Sequence, residues 1–595
     1  MVRTASPIFI LGFMKNLIIF LAAIAVPSQI LAQSYENTML FGYQGGHYSP
    51  NNPEGGINIL KFDEGSLQIS DNQLIDMWFN DTNAAISDSS GNLLFYFNGV
   101  YIEDISRQIM ENGDTLNEYV ETGYDLPQGA IIIPYPGHSN QYILFHEEEG
   151  YVDIPGWTSS CLGLYYSVID MTYNNGLGKV IERKVPLLID TLEYGKLALC
   201  RHANGRDWWL SVGKSHTNVF YSILINPKGV QLVRTEAVGL IREDSFGQAS
   251  FSPDGTKYII SGGYGASINA GQSIEIYDFD RCSGEFSNHQ QIIFNDHANT
   301  LMGSIISPNS RWLYAPSIQL LYKFDLWAAN IESSKELIDE YEPFNDPFPT
   351  AFMMGYLAPD DKIYIYTTSG SRTLHVIHKP DEAGADCAFE QHGIRLPCHN
   401  ARSLPTFANF RLGPLDGSSC DTLGIDNNPV SWWRYEQDTL DPLAVEFRNL
   451  SYHGPETWAW DFGDGGISTE KHPYHNFDNT GIYQVCLTVS NVNGSNTHCK
   501  TLYIGVSATD NPVLQKQITI SPNPFYEWFS VSLSATLPSP IFRLYDMAGL
   551  LVRKERIAFG INEIEANELN SGIYFWEVIS NKELIKAGKI IKMDR

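Results

Sequence analysis

Three polar residues, His202, Arg206 and Asp207, form the cluster with the clearest potential for ligand binding in this sequence. An imidazole, a guanidinium and a carboxylate offer charged donors and acceptors, so together they could hold a polar ligand. The cluster is therefore a candidate ligand face. The alternative is a structural turn, which the adjacent Trp208 and Trp209 favour because large aromatic residues usually pack inside a domain.

Complete catalytic motifs are missing from the sequence. Residues 146–149 (HEEE) begin like the H-E-x-x-H motif of zinc proteases, but Gly150 stands where the second histidine should be. His375 and His378 lie on a predicted strand, where a spacing of three points side chains to opposite faces. We therefore predict no catalytic residue, metal ligand or cofactor. A structural calcium ion bound by some of the many carboxylates stays open as an alternative.

The charge balance limits the classes of partner. The chain has 595 residues with 39 basic and 68 acidic side chains, a net charge of −29. Nucleic acids and anionic membrane surfaces both attract basic patches, so an acidic chain is not expected to bind them.

The N-terminus has the pattern of a secretory signal peptide. Lys15 supplies the positive charge, residues 17–26 are an apolar run too short to cross a bilayer, and Ala32 is small enough for cleavage before Gln33. We assign residues 1–33 to this leader, with Met14 as an alternative start. No later stretch is typical of a transmembrane helix, so we expect an exported protein that can form disulfides.

Eight cysteines fit that compartment. Cys486 and Cys499 flank a turn near residues 491–494, and a hairpin there would place them opposite each other at disulfide distance. Cys387 and Cys398 form the next best pair. The sequence does not pair Cys161, Cys200, Cys282 and Cys420.

A recurring unit organises residues 34–415. It consists of a turn rich in Gly, Pro, Asp and Asn, one polar residue, and a short apolar strand. The polar residues of the six copies are Asn92, Gln141, Asp207, Lys257, Arg311 and Lys362. The mean spacing is (362 − 92)/5 = 54 residues, which indicates a β-propeller of about seven blades, with six as the alternative. A seventh blade could be shared between residues 39–47 and 406–412.

Residues 458–489 alternate apolar and polar side chains as strands do. Within them, Trp460-Asp461-Phe462-Gly463-Asp464-Gly465 matches the W-D-F-G-D-G signature of PKD domains, and the segment from Gly481 to Tyr483 resembles a tyrosine corner. Residues 430–506 therefore resemble a PKD domain. The resemblance implies an immunoglobulin-like sandwich that serves as an extracellular spacer or binding module.

The C-terminal residues 518–595 resemble a sorting domain (type A) of the type IX secretion system. The resemblance rests on an S-P-N-P opening, a Y-D-x-x-G turn, an S-G-I-Y strand and a basic last strand. It implies a small β-sandwich and the type IX secretion machinery as a partner. Residues 416–429 and 507–517 are predicted linkers.

The whole chain is thus predicted to be all-β. The turn Phe251-Ser252-Pro253-Asp254-Gly255 resembles the F-S-P-D-G turn of WD-repeat-like propellers, and the stretches 201–209 and 277–284 resemble secreted propeller proteins of Bacteroidetes-type bacteria. We predict an adhesin-like surface protein that binds an extracellular glycan or protein. The alternative is a hydrolase or lyase that degrades extracellular polymers and uses the propeller as its scaffold.

Overall fold

The computed structural model describes residues 34–593 with gaps. The gaps are 44–54, 64, 73, 119, 121–122, 155–156, 243–245, 264–271, 295–302, 402, 439–440, 505–517, 522–524, 534–536, 538–539, 547–549, 568 and 581–582. The predicted leader, its cleavage point before Gln33 and the second linker lie outside the described residues. Within the described part, no helix has the length and apolar character needed to cross a membrane.

The described strands of the N-terminal region form seven antiparallel sheets. The first two have three strands each: β1 (Thr38–Tyr43), β2 (Gly56–Asp63), β3 (Ser66–Asn72), then β4 (Ala84–Ser87), β5 (Leu93–Phe97), β6 (Ile102–Asp104). Sheets three and four are β7 (Ala130–Pro134), β8 (Gln141–Ile154), β9 (Trp157–Asp170), β10 (Lys179–Leu188), then β11 (Ala198–Arg201), β12 (Trp208–Gly213), β13 (Val219–Asn226), β14 (Gly229–Ala237).

The remaining three sheets have four strands each. They are β15 (Gly247–Phe251), β16 (Lys257–Gly263), β17 (Gln272–Asp280), β18 (Glu285–Phe294), then β19 (Ile305–Ile306), β20 (Trp312–Ser317), β21 (Leu320–Asp325), β22 (Glu336–Glu340), then β23 (Gly355–Leu357), β24 (Ile363–Tyr366), β25 (Thr373–Ile377), β26 (Phe389–Arg395). Short 3-10 turns span Asn174–Gly176, Glu332–Ser334 and Gly384–Cys387.

Packing between the sheets closes a ring. Clusters of buried apolar side chains link each sheet to the next. A further cluster joins the seventh sheet to the first, where Met39 and Phe62 pack with Tyr364 and Leu374. The described sheets therefore form a β-propeller, in which the face of the seventh sheet packs against the face of the first.

The repeated turns lie at equivalent places in this ring. The six copies precede β5, β8, β12, β16, β20 and β24, each the second strand of its sheet. Asp88, Asp254 and Asn309 each accept a hydrogen bond from the backbone N–H two residues later. This side-chain bond closes the turn, which explains why Asp or Asn recurs in the unit.

The first sheet holds a copy of the unit that the sequence pattern did not reveal. A turn at residues 35–37 precedes β1, the first described strand of this sheet, and Thr38 takes the place of the polar residue. The Phe62 N–H donates to the Asn37 carbonyl of this turn as the Phe279 N–H donates to Thr256 in sheet five, so β1 corresponds to the second strand of the other sheets. Its spacing to Asn92 is 92 − 38 = 54 residues, equal to the mean of the other copies.

The expectation that residues 406–412 supply a strand of this sheet is wrong. They form no strand and belong to a longer run, residues 403–415, which we call the channel segment. Its bonds reach several sheets: Thr406 N–H donates to Asn83, the Asn409 amide to Pro253, and the Arg411 guanidinium to the Asp361 carboxylate. Because these partners belong to sheets two, five and seven, the segment crosses the centre of the ring.

The predicted PKD region is a two-sheet sandwich. One sheet contains β27 (Trp433–Gln437), β28 (Ala444–Asn449) and β31 (Tyr474–Asn476), and the other contains β29 (Thr457–Asp461), β30 (Ile467–Ser468), β32 (Gly481–Asn491) and β33 (Gly494–Ile504). Trp433, Phe447 and Trp460 fill the core between them. The tyrosine corner is confirmed, since the Tyr483 hydroxyl donates to the Asn479 carbonyl over 2.8 Å.

The C-terminal region is a second small sandwich. Its sheets are β34 (Ile518–Ser521), β35 (Trp528–Leu533), β38 (Gly560–Glu565), and β36 (Ile541–Tyr545), β37 (Leu551–Arg556), β39 (Gly572–Ser580), β40 (Glu583–Lys592). The ammonium groups of Lys586 and Lys592 donate to the carbonyls of Ile518 and Ala566. Part of the basic end of the chain therefore holds this sandwich together.

Candidate functional site

A cavity of about 690 Å³ lies where the propeller meets the PKD module. Its wall combines the first strands of several propeller sheets, the channel segment and the PKD residues 448–455 and 471–472. The volume is within the range of pockets that hold small ligands. No cluster of metal-ligating side chains is found among the described residues.

Two glutamines tie the wall of the cavity together. The Gln128 amide both donates to and accepts from the backbone of Ala249, at 2.9 and 2.7 Å. The Gln248 amide donates to the Gly355 carbonyl at 2.7 Å and accepts from the Ser304 N–H at 3.1 Å. These bonds between uncharged groups connect sheets three and seven to sheet five. We call the part of the wall that contains Gln128 and Gln248 the glutamine end of the cavity.

The channel segment forms another part of the wall. Phe407 packs against the core clusters of three different sheet interfaces, and its ring lies 5.6 Å from that of Tyr356. The Arg411 guanidinium contacts Asp361 at 2.8 Å and Glu36 at 3.4 Å. Burial raises the pKa of Glu36, while Arg411 opposes that rise. Arg411 thus binds a turn of the seventh sheet to the turn that precedes the first.

Ion pairs hold the PKD module over the propeller. Lys362 and Lys379 of the seventh sheet pair with Glu436 and Glu446 of the PKD module, at 2.7 and 3.0 Å. The Arg434 guanidinium adds a 2.9 Å bond to a backbone carbonyl in the turn before β24. Burial acts to raise the pKa of Glu436, but the neighbouring cations outweigh it and bring that pKa to about 2. We call the part of the cavity next to these ion pairs the PKD end of the cavity.

Asp381 is the carboxyl group in the cavity wall with the strongest functional potential. Burial raises its pKa to about 6, although the Asn309 N–H, 2.9 Å away, and the cation of Lys471 oppose the shift. A group that titrates near neutral pH can exchange protons with a bound molecule. Sequence reasoning missed it because nothing in the local sequence distinguishes it from the chain's other aspartates.

The cluster predicted as a ligand face lies in the turn between β11 and β12. There the Arg206 guanidinium donates to Asp207 over 2.7 Å, and the Asn204 amide donates to the same carboxylate over 2.8 Å. The His202 ring stacks on Trp209, 5.5 Å between centroids, and burial lowers the pKa of His202. The three predicted residues do come together, and their polar groups bind one another and the turn.

Two pairs of cysteines are bonded in the structure. Cys486 and Cys499 face each other on β32 and β33 with their Cα atoms 4.1 Å apart. Cys282 and Cys420 join the turn after β17 to the first predicted linker, across 138 residues of sequence. The second pair had no sequence signal, because only the folded chain brings the two residues together.

The suggested bond between Cys387 and Cys398 is wrong. Both residues are buried thiols, and the strand β26 separates them along the chain. An extended strand of seven residues spans about 23 Å, far beyond disulfide reach. Cys387 packs in the interface between sheets six and seven, whereas the Cys398 thiol contacts the Gly55 carbonyl of the first sheet.

The PKD signature has a structural role. Trp460 and Phe462 are buried in the sandwich core, and His475 stacks on Phe462 with 3.9 Å between ring centroids. His475 also contacts the Asp464 carboxylate at 2.7 Å. A side chain at Gly463 would lie 2.5 Å from a backbone carbonyl, and its φ of +79° favours glycine as well.

Comparison with known protein families identifies two of the three regions. Residues 436–506 match the PKD domain, and residues 519–593 match the secretion system C-terminal sorting domain. No curated protein matches the chain. The sorting domain indicates export to the cell surface or beyond, so the chain is an exported, all-β protein with a PKD domain.

Solved structures show further similarities. Two PKD1 domains, from Vibrio anguillarum Epp and from the Vibrio cholerae metalloprotease PrtV, are each 34% identical to this chain. Each match covers 13% of this chain, with a TM-score of 0.12. The match spans 95% and 99% of those domains. PorZ, a surface component of the type IX secretion system of Porphyromonas gingivalis, is 11% identical, with 90% of this chain and 74% of PorZ covered and a TM-score of 0.30.

Proposed function

We propose that this protein is an adhesin-like binding protein of the cell surface, with its ligand site in the cavity between the propeller and the PKD module. The observation that carries the proposal is the cavity itself, since its volume suits a segment of a glycan or a peptide. Its wall is fixed by the glutamine bonds and the channel segment, so the site is largely formed before a ligand arrives, which lowers the entropic cost of binding.

A cavity-filling variant tests this proposal. Thr256 is exposed and lines the cavity, and its N–H and hydroxyl donate to Asp254. Thr172 is also exposed and makes the same two bonds to Asp170, but it does not line the cavity. On glycan and peptide arrays, we expect Thr256→Trp to abolish binding by the full-length protein and Thr172→Trp to preserve it. Equal binding by both variants would contradict the proposal.

A second candidate function rests on Asp381. Its pKa of about 6 suits a general acid in a hydrolase or lyase that acts on extracellular polymers. In that case the wild-type protein releases soluble products from a polymer on the same array, and Asp381→Asn stops the release without weakening binding.

A further inference from the structure

An exposed tryptophan ends a stack of aromatic and cationic side chains in sheet six. The Lys323 ammonium and the Arg311 guanidinium each lie 4.5 Å from the centre of the Trp312 ring. The same guanidinium lies 5.3 Å from the centre of the Trp327 ring. Trp327 is 65% exposed, whereas Lys323 is completely buried. The stack therefore runs from the interior to the surface and ends in an open indole.

The stack is held in place by Asp325. Its carboxylate accepts two bonds from the Arg311 guanidinium, at 3.1 and 2.8 Å, and a third from the backbone N–H of Trp327 at 3.0 Å. These bonds orient the Arg311 guanidinium and the Trp327 backbone, and the guanidinium lies over one face of the Trp327 indole. A surface indole that is already ordered loses little entropy when a ligand covers it.

The stack stands beside the cavity. The Trp312 indole N–H donates to the Asp381 carbonyl over 2.9 Å, and Arg311 directly follows the cavity-lining residues Asn309 and Ser310. Trp327 lies just after β21. Because β20 and β21 are antiparallel, the end of β21 lies beside the turn that precedes β20. A chain-like ligand that leaves the cavity at this turn would meet the Trp327 indole.

The chemistry of the indole favours an uncharged ring. The face of an aromatic ring carries partial negative charge and attracts weakly positive C–H groups, such as those on one face of a sugar. Arg311 already occupies the inner side of Trp327, so a second cation on the outer side would gain less than it would at an isolated indole. A sugar ring is uncharged, so the Arg311 cation does not weaken its contact with the indole, and stacking buries apolar surface.

We propose that Trp327 is a stacking platform for one sugar unit of an extracellular polysaccharide. This inference rests on the proposed function, because it assumes that the protein binds an extracellular polymer. It specifies that this polymer is a glycan. Asp325 and Arg311 act as positioning residues for the platform.

The test uses the full-length protein and isothermal titration calorimetry. The probes are the hexasaccharides of glucose, xylose, mannose and N-acetylglucosamine, with hexalysine as the cationic probe. We expect at least one hexasaccharide to bind, Trp327→Ala to weaken that binding by about tenfold or more, and Trp327→Phe to stay within about threefold of the wild type. Trp528→Ala, which removes an exposed indole from the sorting domain, should leave binding unchanged.

Each contrary outcome overturns the platform. These outcomes are that no hexasaccharide binds, that Trp327→Ala binds as the wild type does, or that hexalysine binds at Trp327 more tightly than every sugar. Thr256→Trp separates this result from the cavity proposal. Loss of binding in Thr256→Trp but not in Trp327→Ala would support the cavity and reject the platform, and the reverse pattern would support the platform and reject the cavity.

Discussion

The two ends of the cavity are built from different interactions. At the glutamine end, neutral amides bond to backbone groups of neighbouring sheets. At the PKD end, lysines of the propeller pair with glutamates of the sandwich. Neutral hydrogen bonds respond little to salt or pH, whereas partly exposed ion pairs respond to both. The wall of the cavity should therefore be insensitive to salt, whereas the contact with the PKD module should weaken as the salt concentration rises.

The largest effect is expected at the glutamine end. Gln248→Ala leaves the Gly355 carbonyl and the Ser304 N–H without the amide partner, and each such loss is costly inside a protein. We expect the free energy of unfolding of the propeller to fall by about 2–4 kcal/mol in urea titrations. The fall should be the same at low and high salt. Gln108→Ala, at an exposed site, is the control, and an equal effect of the two variants would contradict the assigned role.

A smaller effect with a distinct pH dependence is expected at Asp381. Its pKa of about 6 lies above the model-compound value of 3.8, so the unfolded chain loses this proton first. Asp381 therefore lowers stability as the pH rises from about 4 to 6. Asp381→Asn should be more stable than the wild type by about 1–2 kcal/mol at pH 7.5, and the difference should vanish below about pH 4.

Urea titrations across this pH range check the prediction. Asp63→Asn, at an exposed position, is the control and should follow the wild type throughout. A difference between Asp381→Asn and the wild type that persists at pH 3.5 would show that the carboxyl group is not the cause.

The smallest effect is expected at the PKD end. Lys379 and Glu446 are each about 30% exposed, so a double-mutant cycle with Lys379→Met and Glu446→Gln should give a coupling energy of about 0.5–1 kcal/mol. Added salt should reduce it, since screening weakens partly exposed pairs. The more exposed pair Lys179 and Glu111 serves for comparison. A coupling that salt leaves unchanged would remove the distinction between the two ends.

The sequence predicts those parts of the fold that depend on neighbouring residues. Asp88, Asp254 and Asn309 close their turns with backbone groups two residues away, so the repeat is visible in the sequence. The PKD signature and the tyrosine corner are equally local. Residues 39–47 were expected to contribute to a seventh blade, but the copy of the unit before β1 escaped detection because its turn at residues 35–37 lacks the Gly and Pro of the other copies.

The candidate site could not be predicted in the same way. Gln128 and Ala249 are 121 residues apart, and Cys282 and Cys420 are 138 apart. Such contacts follow from the closure of the ring and leave no pattern in either partner's surroundings. Trp327 also gave no signal, because an exposed and a buried tryptophan look the same in a sequence.

The Arg411 contact sets an order of events for folding. Arg411 joins Glu36, near the start of the propeller, to Asp361 in its last sheet. The residue that fastens the seam thus comes after every strand of the ring. A chain whose N-terminus emerges first cannot complete the propeller until nearly the whole domain is available. The seam can therefore be fastened through this contact only once residue 411 is available to dock.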